Sequence, residues 1–175
     1  TGFATVDFDL WPSAAKTVLV GCMFVGACAG STGGGIKMSR IIIAVKTVVK
    51  ELNAYVHPKA VRKIQFEEKP VEHEVVRAVN VYIITFFVLF VSSLLIISFD
   101  GKDLVTNFTA VVATINNIGP GLNLVGPTAN FGHFSILSKI VLMFNMLAGR
   151  LELFPILLLF HPGIIKEFFK KSRVG

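Results

Sequence analysis

The chain has 175 residues, 53% of them hydrophobic and 16% charged, with sixteen Phe and a formal net charge of +6; its mean hydropathy is +0.70. A soluble domain carries about 25% charged residues, so this composition argues against a soluble enzyme, a disordered segment and a nucleic-acid-binding domain. Two cysteines supply neither a disulfide framework nor a tetracysteine metal site.

The opening, TGFATVDFDL, lacks Met and carries acid rather than base, unlike a signal peptide. We expect Thr1 to be an internal position of a longer protein. The first apolar stretch, from about Trp11 to Val49, is too long for one membrane span of about 20 residues. It is broken by Gly26, Gly30 and the run Gly33-Gly34-Gly35. Within GACAGSTGGGIK a phosphate-binding loop fails, because Ile36 stands where Lys belongs, and no GxGxxG fingerprint occurs. Gly26, Gly30 and Gly34 fit a close helix-packing face. Three consecutive glycines, each costing about 1 kcal/mol inside a helix, instead favour a break, with the helix opening into an intramembrane loop and Ser31 and Thr32 in or beside a pore.

Residues 37–77 carry nine Lys/Arg, and residues 166–173 carry four. Cytoplasmic placement of both segments follows from the positive-inside rule, with residues 51–77 a cytoplasmic basic linker, although residues 37–77 could also dock a partner. The stretch from about Ala78 to Phe99 has the length and uncharged composition of a span. The next, Leu104 to Leu122, is shorter, with Asp103 available as a helix cap and Gly119-Pro120-Gly121 as a stop. A short helix with a stop at membrane depth predicts a re-entrant loop, buried in protein or lining water. The sequon Asn107-Phe108-Thr109 inside it is coincidental on this assignment. The last stretch, about Phe134 to Phe160, is interrupted by Lys139, Arg150 and Glu152.

Span, dip, span is the unit of pore-forming cation channels, in which carbonyls of an extended segment replace an ion's hydration shell. TINNIGPGL, Thr114 to Leu122, occupies that place, an ordinary interhelical loop being the alternative. Thr1-Gly2-Phe3 precedes the span starting at Trp11-Pro12 much as Gly119 precedes the one starting at Phe134. Arg150 falls near the middle of the last span, where a lone Arg costs at least about 2.5 kcal/mol, so it should face inward. It is either satisfied structurally by backbone carbonyls or placed at the pore as a barrier or loop anchor. Glu152, two positions on, lies on another helix face. Cys22 and Cys28 are expected to be packing residues. His57, His73, His133 and His161 have no metal-ligand spacing.

Taken together, TGF at Thr1, GACAGSTGGGIK at Gly26, NNIGPGL at Asn116 and GRLE at Gly149 resemble the Trk/Ktr/HKT superfamily of potassium transporters, nearest its TrkH-like branch. The resemblance spans essentially the whole chain. It implies an all-α polytopic membrane protein of span, pore helix and span repeats, with a re-entrant filter loop and a glycine-broken helix. Residues 1–50 would be the filter end and second helix of repeat three, residues 78–165 repeat four, and residues 166–175 a cytoplasmic tail. The resemblance implies a selectivity filter at Thr1, Gly2, Phe3, Asn117, Ile118, Gly119 and Pro120, with potassium held by the carbonyls of Thr1, Gly2, Ile118 and Gly119. It implies a gating loop of Gly26, Gly30, Ser31, Thr32, Gly33, Gly34 and Gly35, and a gate arginine at Arg150.

The implied function is potassium uptake across the cytoplasmic membrane, without covalent chemistry or a covalently bound cofactor. The implied partners are membrane lipid, the missing N-terminal repeats, a second copy in a homodimer and a cytoplasmic nucleotide-binding regulatory subunit, with no nucleic acid. A sodium-preferring transporter and a non-conducting assembly subunit using its GxxxG face remain the alternatives.

Overall fold

The computed structural model describes residues 2–28, 31, 33–57, 64–66 and 69–150. Thr1, Gly30, Thr32, Glu152, His161 and the tail at 166–173 therefore lie outside the described residues. Five helices dominate: α1 Ser13–Phe24, α2 Met38–Val56, α3 His73–Ser98, α4 Leu104–Ile115 and α5 Ile136–Arg150, where the description ends. A two-residue antiparallel pairing, β1 Gln65–Phe66 with β2 Lys69–Pro70, lies between α2 and α3.

The first long apolar stretch is two helices. Pro12 caps α1 and Phe24 ends it. The chain then leaves the helical path and returns, its two ends pinned together. Gly26 N–H donates to the Ile36 carbonyl at 2.9 Å, and Met38 N–H to Ala27 at 3.1 Å. A Cβ on Gly26 would stand 2.6 Å from the Ile36 oxygen, so only glycine permits this neck.

Helix α3 has 26 residues, about 39 Å at 1.5 Å per residue, and suffices by length and composition to cross a membrane. It starts at His73, ahead of the apolar run, because Glu74 and Arg77 extend it as an exposed first turn. Helix α4 has 12 residues, about 18 Å, against a hydrocarbon core of about 30 Å.

That short helix is the centre of the fold. Thr106, Asn107 and every residue from Thr109 to Ile115 are buried, and α1, α3 and α5 all pack on α4. Phe24, Phe90 and Phe108 tie α1, α3 and α4 together, with ring centroids 5.3 to 6.1 Å apart. Each such aromatic pair contributes about 0.5–1.5 kcal/mol beyond burial. The sequon residue Asn107 is buried, and its amide donates to the Lys102 carbonyl at 3.1 Å. Cys22 and Cys28 are exposed. Among the described residues neither shows the expected packing role, since both are open to the surface.

Asp103 caps α4. It accepts from Thr106 N–H at 3.0 Å, from Thr106 Oγ1 at 2.5 Å and from Asn123 Nδ2 at 2.9 Å. The Thr106 hydroxyl bond leads the causes that hold the Asp103 carboxyl below its usual range; for Asp100 it is the bond from Ser135 N–H. A carboxylate with a depressed folded pKa stabilises above its unfolded pKa of about 3.9 and loses that contribution as pH falls through the folded value. We expect both contributions to be constant from pH 5 to 8 and lost below about pH 4. Asp103→Asn should flatten that acid limb in thermal melting, and an unaltered limb would assign it to other groups.

Candidate functional site

The lower end of α4 explains how the next residues acquire their geometry. Asn117 adopts a left-handed conformation, φ +55°, its N–H donating to the Thr114 carbonyl at 3.1 Å, while Ile118 N–H donates to Ala113 at 2.9 Å. This double bond pattern with a left-handed Asn is a Schellman stop. It ends the helix and turns the chain back.

The returning segment climbs alongside α4, tied to its side chains. Thr109 Oγ1 accepts from Leu122 N–H at 3.0 Å. Gly121 sits so close that a Cβ would be 2.8 Å from Thr109 Oγ1. Gly121 N–H also reaches the Val125 carbonyl at 2.6 Å.

At the turn, the two glycine segments predicted far apart in sequence meet. Gly2 has φ +77° and Gly119 φ +112°, and a Cβ on Gly119 would stand 3.1 Å from Gly2 Cα. Gly2, Phe3, Asn117, Ile118 and Pro120 line one cavity of about 430 Å³. Gly119 opens onto a second, of about 750 Å³, shared with Thr114, Lys139, Met146 and Arg150. Lys139 donates from Nζ to the Gly132 carbonyl at 2.8 Å.

The glycine loop lies against the same turn. A Cβ on Gly34 would come within 2.7 Å of Asn117 Nδ2, and one on Gly35 would overlap Asn116 Oδ1. Gly35 is itself left-handed, φ +78°. Ser31 Oγ accepts from Gly33 N–H at 3.1 Å. Asn117 Nδ2 donates to the Met146 carbonyl of α5 at 3.1 Å. The amide thus lies among the turn, the loop and α5.

Arg150 is exposed, and among the described residues no hydrogen bond joins it to the loop. The loop's seat is instead the pair Asn116 and Asn117, together with Tyr82 of α3, whose hydroxyl donates to the Gly35 carbonyl at 3.2 Å. The sequence pointed to Asn116 and Asn117 only as part of the filter motif, not as the seat of the loop, and did not point to Tyr82. The Asn pair at the end of a buried helix was the available sign of a left-handed stop. Tyr82 could have been noticed as the only tyrosine in an apolar span.

This fold is shared with a helical membrane transporter. It matches the crystal structure of the potassium transporter TrkH from Vibrio parahaemolyticus with a TM-score of 0.80 at 39% identity, over 93% of this chain and 34% of that one. The TrkH family, described as cation transport proteins, matches residues 1–168, and the chain belongs to that family. Among its relatives, the Trk system potassium uptake protein TrkH of Escherichia coli K12 is 39% identical over 166 residues, 95% of this chain and 34% of the relative. TrkG of the same strain, also named a Trk system potassium uptake protein, is 36% identical over 160 residues, 91% of this chain and 32% of the relative. The chain spans about a third of the length of the relatives it matches.

Proposed function

We propose that this chain is the C-terminal part of a potassium-uptake pore in the cytoplasmic membrane. It would supply the filter end and second helix of one pore repeat and the whole of the next. The observation that carries this reading is the meeting of Gly2 and Gly119, both at positive φ, with Gly119 3.1 Å from Gly2 at its would-be Cβ. Positive φ lets a backbone turn its carbonyls where an L side chain would obstruct them. Two such segments side by side are what neighbouring quarters of a carbonyl-lined filter require.

In this mechanism the carbonyls of Thr1, Gly2, Ile118 and Gly119 replace part of potassium's hydration shell, and Phe3, Asn117 and Pro120 shape the segments. Helix α4 is the pore helix, buried as a re-entrant element must be. The loop from Gly26 to Gly35, with Gly30, Ser31, Thr32, Gly33 and Gly34, acts as a gate beneath the filter. Arg150, facing the same cavity as Gly119, raises an electrostatic barrier to cations. The basic residues of 37–77 and 166–173 put both segments on the cytoplasmic side, where a nucleotide-binding regulatory subunit docks on a homodimer. The names and fold of the relatives support potassium as the transported ion.

The test is ion uptake by the complete protein in lipid vesicles, where potassium uptake should exceed sodium uptake. A protein that reaches the membrane folded and conducts nothing would make the chain an assembly subunit. Arg150→Ala should raise basal flux several-fold, and Arg150→Lys should raise it less, because Lys keeps the charge but not the planar fork. Unchanged flux in both would remove Arg150 from the gate.

A further inference from the structure

We propose that Tyr82 is the catch that holds the glycine loop closed, and that Arg40 sets the catch. The proposal rests on reading the loop as a gate. Tyr82 is buried in α3 with 2% of its surface exposed. Its hydroxyl donates to the Gly35 carbonyl at 3.2 Å. Gly35 immediately precedes Ile36, whose carbonyl closes the neck of the loop with Gly26 N–H. The bond therefore grips the loop at its returning end, beside the neck and against the turn that follows α4.

The ring cannot easily follow a departing loop. Phe86 stacks on it with centroids 6.5 Å apart, and Ile36, Ile115 and Ala148 belong to the same buried cluster. On α2, the Arg40 guanidinium lies 3.9 Å from the ring centroid, a cation–π distance. Arg40 sits just past the loop on the chain, so the stack joins the start of α2 to the residue that grips the loop. Sixteen Phe and only two Tyr occur in the chain. A Phe at 82 would fill the same space and lack only the hydroxyl. That hydroxyl gives a loop carbonyl, which has no helical partner, a directional donor in apolar surroundings. Displacing the loop breaks the bond and leaves two buried polar groups to be satisfied afresh.

The experiment uses the complete protein in vesicles, with rubidium uptake as the readout of basal flux per folded protein. Tyr82→Phe should raise that flux about 2- to 10-fold, the range of one hydrogen bond, with the potassium-to-sodium preference unchanged. Arg40→Lys should give a smaller rise, since it keeps the charge and loses the flat stack. A deletion of residues 31–34 should raise flux more, and Tyr82→Phe should add nothing to it, because both remove the same restraint. A merely structural tyrosine would lower folded protein or melting temperature without raising flux per protein. If the deletion raises flux and neither Tyr82→Phe nor Arg40→Lys does, the catch is overturned and the gate stands. If none of the three raises it, the gate fails and the catch with it. Should Tyr82→Phe protein not accumulate, Arg40→Lys carries the test, and unchanged flux in it overturns the proposal.

Discussion

Gly119→Ser is expected to reduce potassium-over-sodium discrimination at least about tenfold, which corresponds to a change of about 1.4 kcal/mol between the two ions, while leaving the protein folded. Two features of this position set the effect. Its φ of +112° lies where L residues rarely go, and its Cβ would be 3.1 Å from the Gly2 backbone. Holding a side-chain residue in such a conformation costs about 1–3 kcal/mol. The cheaper response is a rotation of the backbone, which moves the Ile118 and Gly119 carbonyls. Folding should survive, because Gly119 is exposed while the core of α4 lies above it, from Thr106 to Ile115. Uptake of the two ions by the complete protein, measured beside its thermal melting, gives the answer. An unchanged ratio with normal melting would remove Gly119 from the filter.

How much of this was legible in the sequence depends on whether a feature belongs to one segment or to two. The short α4 was legible in its cap, Asp103, and its apolar body, but the helix stops at the left-handed Asn117 rather than at the expected Gly119-Pro120-Gly121. The break after α1 was legible too, since three glycines in a row defeat a helix. Both follow from local chain energetics. The seat of the loop was not legible. It depends on Gly34 and Gly35 meeting Asn116 and Asn117, and on Tyr82 reaching Gly35 across 47 positions. No single-residue property encodes which partner a packed surface will find. Motif resemblance supplied part of what periodicity could not. It paired Gly2 with Gly119 as filter positions, and the structure puts those backbones in contact. The exposure of Cys22 and Cys28 shows the opposite limit. Side chains on α1 are buried only where an element covers them: α4 covers Phe24, and among the described residues nothing buries Cys22.

Gly149→Ala is expected to cost the most folded protein. The α5 backbone crosses α4 at Gly149, and a Cβ there would overlap the Ile115 carbonyl oxygen and stand 2.9 Å from Asn117 Nδ2. The obstacle is main chain, so no rotamer change relieves it. Helix α4 is also held by the elements packed on it, with Phe24 of α1 and Phe90 of α3 against its Phe108. Overpacking of this kind costs about 1–3 kcal/mol and occasionally more. Separating the helices also stretches the bond from Asn117 Nδ2 to the Met146 carbonyl, now 3.1 Å, for about a further 1 kcal/mol. Gly21 offers a contrast. It lies within α1 with no heavy atom of the described residues within 4 Å of a built Cβ, so alanine there meets no obstacle among them and gains helix propensity of about 1 kcal/mol. Gly149→Ala should lower the yield of monodisperse protein and its melting temperature, whereas Gly21→Ala should change neither downward. The Gly149 variant that does fold should also show raised basal flux, because Asn117 borders Gly34 and carries the displacement into the loop. Wild-type yield and melting for Gly149→Ala would mean that α4 and α5 do not touch through this glycine, and the placement of the loop against Asn117 would lose its support from α5.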